Sequence, residues 1–160
     1  MAKMQFEVNL NGAFKVWESA VAILTESPDT PGDAFPAPGP FDPTESNMVA
    51  QTDQELHIRL KWRVTGTLPL IMAGKWDCAV YLEQMGSGEY PGGPFTKTVN
   101  LVAVTDHTYD VKIDVPAGAI PVGVYKIVVA VTLRGPAPSN AALPVAAFAE
   151  VSPLFMYDAA

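Results

Sequence analysis

The stretch "ELHIRLKWRVTG", residues 55–66, decides how the rest of the chain is read. Leu56, Ile58, Leu60, Trp62 and Val64 occupy every second position, and Glu55, His57, Arg59, Lys61, Arg63 and Thr65 fill the others. Side chains of a β-strand alternate between its two faces, so this pattern predicts a strand with one face in a core and one polar face. The same period recurs downstream. In "KWDCAVYLEQ" (75–84), Trp76, Cys78, Val80 and Leu82 share a face. In "HTYDVKIDV" (107–115), Tyr109, Val111, Ile113 and Val115 do, and in "VYKIVVAVTL" (124–133), Tyr125, Ile127, Val129, Val131 and Leu133 do. A weaker segment, "TKTVNLVAV", would turn Val99, Leu101 and Ala103 inward. The last, "VAAFAEVSPLFMY", reads as an irregular strand that Pro153 bends or ends.

Between these segments lie turn-formers. "GSGEYPGGP" (86–94) has four glycines and two prolines, and "PAGAIPVG" and "RGPAPSNAALP" behave alike. No segment carries a convincing helix of ten residues or more. Short alternating strands with Gly/Pro turns predict an all-β fold, an antiparallel two-sheet β-sandwich.

The N-terminal part is read more openly. "FEVNLNGAFKVW" contains an Asn-Gly pair that suits a tight hairpin, yet a single bent strand with a bulge at Gly12 fits as well. "WESAVAILTE" fits either a strand or a short helix. Residues 27–46, "SPDTPGDAFPAPGPFDPTES", hold six prolines and look like a linker. The 26 residues before them are too few for a core of their own. The expected organisation is therefore one domain, 1–160: N-terminal strands over 1–26, a Pro/Gly-rich intradomain arm over 27–46, and the sandwich body over 47–160.

Composition narrows the function. The chain of 160 residues is 49% hydrophobic and 17% charged, with mean hydropathy +0.17. Such low charge implies a large core or an apolar surface that a partner covers. A net charge of -7 argues against nucleic acid as the main partner. No apolar run has the length of a membrane helix. The start, "MAKMQFEVNLNGAF", has no signal-peptide core, so synthesis in the cytoplasm without a leader is expected, with later release as part of a particle compatible. Cys78 is the single cysteine and points inward, the setting of a small hydrophobe rather than a nucleophile.

Three segments, "LKWRV", "KWDCAVYL" and "VPAGAIPVGVYKIVV", resemble the immunoglobulin-like and fibronectin type III-like sandwiches over residues 53–157. The first two would be strands B and C, with Trp76 near the core tryptophan of such domains. The third is similar to their E–F corner, in which Tyr125 would bond back to upstream backbone. Ile127 stands where antibody domains have a cysteine, so the resemblance is to the disulfide-free relatives. It implies that strands B and E share one sheet and that C, F and G form the other. Arg59, Lys61 and Arg63 should then face Asp110, Lys112 and Asp114 in a solvent-facing charge ladder.

Candidate sites follow from what these faces leave uncovered. The outer face of 124–133 presents Val124, Val128 and Ala130 beside Lys126 and Thr132, and Tyr81 is expected next to them. With Phe35 and Phe41 of the arm, these are the candidate partner-interface residues. Trp17, Tyr81 and Tyr90 are the candidates for stacking on a glycan. His57 reads as a solvated histidine, and His107 with Asp106 and Asp110 as a turn entering a strand rather than a metal site. No catalytic motif, metal site or cofactor site is recognised. The expected protein is a non-enzymatic structural or adaptor subunit, of the phage-like tail, capsid-decoration or filament type. It would assemble with its own copies or a larger scaffold; a carbohydrate- or ligand-binding module is the alternative.

Overall fold

In the computed structural model, residues 2–7, 12–26, 46–86, 88–90 and 92–158 are described below. They form two packed sheets. In the first lie β1 (Ala2–Lys3), β3 (Lys15–Val16), β4 (Val21–Glu26), β6 (Leu56–Thr65) and β10 (Asp106–Val115), ordered β1-β4-β6-β10 with β3 also on β6. The second is ordered β2-β12-β11-β7, from β2 (Gln5–Glu7), β12 (Ala142–Tyr157), β11 (Gly123–Arg134) and β7 (Lys75–Gln84). Three more strands extend it: β5 (Val49–Gln51) on β12, and β8 (Gly88–Glu89) and β9 (Phe95–Asn100) on β7. All pairings are antiparallel except β5 with β12. The fold is thus an all-β, two-sheet sandwich, and β6 and β10 lie opposite β7, β11 and β12 as the resemblance implied. Among the described residues no helix is long and apolar enough to cross a membrane.

Alternation explains the core. Every inward position read from β6, β7, β10 and β11 is buried. At its centre Trp62 stacks on Tyr109 with ring centroids 5.1 Å apart, and Trp76 meets Trp62 edge-on at 5.4 Å. Phe6 and Phe14 close the cluster from the N-terminal segment. Aromatic pairs of this kind add about 0.5–1.5 kcal/mol each beyond the area they bury. Tyr125 lies against Tyr90, and its hydroxyl donates to the Pro121 carbonyl at 2.9 Å, the corner bond expected of it.

Several expectations change. A tight 8–15 hairpin would pair its two arms, but β2 and β3 lie in different sheets, on β12 and β6 respectively; residues 8–11 fall outside the described residues. The ambiguous segment is strand β4, which pairs with β6 along its length. Pro153 bends β12 without ending it. The register against β11 slips there, and again near Pro144, because proline offers no N–H to the ladder. The weak segment is a strand only as far as Asn100. Val99 and Leu101 are half-buried, but Ala103 lies beyond β9 and is exposed.

The charge ladder also differs from expectation. Asp114, Lys112 and Asp110 do face His57, Arg59 and Lys61 across β6 and β10. Yet His57 and Arg59 are each only 4% exposed, so His57 is not a solvated histidine. The reason is that β6 is an interior strand. Ile23 and Thr25 of β4, themselves buried, flank Arg59 and His57 on the side away from β10. The arm enters and leaves at one place: the Ser46 N–H donates to the Leu24 carbonyl at 2.7 Å, and its hydroxyl to Glu26 Oε1. Phe35 and Phe41 lie outside the described residues.

Candidate functional site

The outer face of the larger sheet is the candidate site. Its order places β11 in the middle, with β7 and β9 on one side and β12 and β2 on the other. Residues 125, 127, 129, 131 and 133 point inward, so Val124, Lys126, Val128, Ala130, Thr132 and Arg134 point out. Cross-strand register fixes their neighbours. One row reads Thr96, Ala79, Ala130, Phe148, Gln5 across β9, β7, β11, β12 and β2. The next reads Tyr81, Val128, Glu150. Farther along, Val124 faces Phe155, which in turn faces Val49.

Val124, Val128, Ala130 and Tyr81 therefore share one face, and Tyr81 lies directly opposite Val128. Val128 and Ala130 form a half-buried floor, from which Tyr81 stands 49% exposed and Phe148 60% exposed. Phe148 and Phe155 were missed by sequence reading, because "VAAFAEV" is apolar on both faces and periodicity does not say which is inner. Charges on this face are paired locally. Lys126 Nζ lies 2.8 Å from Glu150 Oε1, which holds the lysine pKa above its usual value. Arg134 pairs with Asp77.

The three candidate stacking aromatics are not brought together. Tyr81 and Tyr90 line one cleft of about 580 Å³ with Glu83, Pro94 and Val128. Tyr90 is held there by its hydroxyl, which donates to the Ala119 carbonyl, and by its edge-on contact with Tyr125. Trp17 lies by the other sheet. Its indole N–H donates to Thr65 Oγ1 at 3.0 Å, and Lys15 and Arg63 each place a cationic group 4.4 Å from its ring centroid.

Ionisable groups elsewhere form cross-strand pairs. Arg63 donates to both Asp106 oxygens, at 2.9 and 2.6 Å, and this bonding lowers the Asp106 pKa. Asp106 is thereby turned to β6 rather than to His107, whose ring packs edge-on against Tyr109. His57 Nδ1 is 2.8 Å from Asp114 Oδ1, and its Nε2 is 3.9 Å from Glu55 Oε1. These three residues are the described group with metal-ligand chemistry, their ligand atoms within 4.8 Å of one another. Burial pushes the Cys78 thiol up to about 12, with a smaller contribution from Asp77.

No protein-family model, curated protein or solved structure significantly matches the chain.

Proposed function

We propose that this chain is a non-enzymatic structural or adaptor subunit, of the kind that builds phage-like tails, decorated capsids or filaments. It joins its assembly through the outer face of the larger sheet. The observation that carries this reading is the apolar cluster of Tyr81, Ala79, Val128, Ala130 and Phe148, with a second one of Val124, Phe155 and Val49 on the far side of Lys126. Exposed apolar clusters bordered by polar residues mark protein contact surfaces. The pairing of Lys126 with Glu150 within this face, and of Arg134 with Asp77 towards its end, lowers the cost of removing these charges from water. The cross-strand engagement of Asp106, Asp114 and His57, and the high thiol pKa of Cys78, also favour a structural role over a catalytic one.

The test is native mass spectrometry of the tagged protein recovered at its natural abundance, followed by carbene footprinting of the complex and the free chain. Protection of Tyr81, Val128 and Phe148 in the complex is expected. Recovery of the chain alone, or a complex in which these residues label as in the free chain, refutes the reading. A carbohydrate-binding role draws on the cleft of Tyr81 and Tyr90. A blank glycan array removes it.

A further inference from the structure

We propose that the partner on this face is a second copy of the chain, related by a twofold axis running along β11 between two facing sheets. The inference rests on the reading of that face as a protein contact surface, and adds its occupant.

The central row carries the argument. Ala130 is its midpoint, with Ala79 then Thr96 on one side and Phe148 then Gln5 on the other. A twofold along β11 lays one side of the row over the other side of the partner's row. Phe148 of each copy then stands over Ala79 of the other, a large residue on a small one, as interdigitating sheet faces require. At the row's ends, the Gln5 amide meets the Thr96 hydroxyl. In the next row Val128 meets Val128 on the axis, and Glu150 meets Tyr81, whose phenol can donate to the carboxylate. A twofold running across the strands along this row would instead set Phe148 on Phe148 and Ala79 on Ala79, large on large and small on small. The order of small and large residues thus favours an axis along the strands over one across them.

Charge and area agree. The outward positions of β2, β7, β11 and β12 in this face carry three cations (Lys75, Lys126, Arg134) against four anions (Glu7, Asp77, Glu83, Glu150). The whole chain carries -7, so this face is nearly neutral while the excess negative charge lies elsewhere. Lys126 and Arg134 of β11 meet their own copies along the axis, and each brings its carboxylate partner, Glu150 or Asp77, so ion pairs rather than isolated cations face one another. The five strands β9, β7, β11, β12 and β2 run 6, 10, 12, 16 and 3 residues, and at about 3.4 Å per residue and about 4.8 Å between strands they offer roughly 770 Å². That is about the share each partner contributes to a standard stable interface.

The experiment is light scattering on the purified full-length chain from about 2 to 200 µM, with circular dichroism as the folding control. The wild type should reach twice the 17.1 kDa chain mass. Ala130→Arg, on the axis, should weaken dimerisation at least about 30-fold without altering the spectrum. Phe148→Ala and Ala79→Phe should each weaken it, and the double swap should return to within about threefold of wild type, because the large residue again faces the small one. A wild type that stays monomeric, a dimer indifferent to Ala130→Arg, or a swap that fails to recover overturns the proposal. If the chain is monomeric but Tyr81 and Phe148 are protected in a complex with another protein, the second copy is refuted and the contact-surface reading stands. If they are protected in no complex, both fall.

Discussion

Replacing Gly66 by alanine tests how the N-terminal segment is locked onto the sandwich. Gly66 ends β6 with φ +130°, and a Cβ there would lie 2.1 Å from the Ala13 carbonyl oxygen and 2.9 Å from that of Gly12. The conformation alone costs an L-residue about 1–3 kcal/mol. Backbone atoms cannot rotate away as a side chain would, so the 12–13 turn must move by about 1 Å to restore a normal contact. That movement strains two neighbours: the Leu68 N–H bond to the Ala13 carbonyl, 2.9 Å, and Phe14, which is fully buried against Trp76. Losing the hydrogen bond adds about 1 kcal/mol, for a total of about 3–5 kcal/mol. Gly12→Ala is the control, because Gly12 also has positive φ (+81°) but no atom within 4 Å of the added Cβ. It should cost only about 1–2 kcal/mol. Urea unfolding followed by tryptophan fluorescence, with m near 2 kcal/mol/M, should lower the midpoint by about 1.5–2.5 M for Gly66→Ala and about 0.5–1 M for Gly12→Ala. Equal shifts for the two variants, or a Gly66→Ala midpoint within about 0.3 M of wild type, would refute the clash and with it the described approach of residue 13 to β6.

Tyr125→Phe keeps the buried ring and removes the donor to Pro121, so it should cost about 1 kcal/mol in the same assay, whereas Tyr125→Ala should cost about 3–5 kcal/mol; a silent Tyr125→Phe would deny the corner bond its role. Cys78 should resist Ellman's reagent in the native state and react at once in denaturant, since its folded pKa is about 12. Because that pKa is raised, the folded state holds its proton more tightly. The contribution is fully present below the unfolded thiol's pKa of about 8.5 and is lost as pH rises from there towards 12. Cys78→Ala should therefore flatten the alkaline limb of a stability–pH profile, and an unchanged limb would assign it to other groups.

Alternation by itself determined the architecture of this protein. In β6, β7, β10 and β11 the apolar residues recur at a period of two, and all of those positions are buried, because strand geometry leaves an alternating side chain only two directions. It also placed Val124, Val128, Ala130 and Tyr81 on outward faces and Tyr125 on an inward one, while the corner role of Tyr125 was implied by the resemblance to immunoglobulin-like sandwiches. Tertiary pairing decided what alternation leaves open. In β12 both faces are apolar, and it is the register against β11, slipped at Pro153, that turns Ala147 and Ala149 inward and Phe148 outward. Small residues fill the inner face there because the space between the sheets already holds Trp62 and Tyr109 of the opposite sheet and Trp76 of the same one. His57 shows the converse: its strand position predicts a polar face, but burial depends on flanking strands that no local pattern names. Which neighbour a strand receives is a long-range choice, made by the packing of the whole sheet rather than by the residues of any one strand.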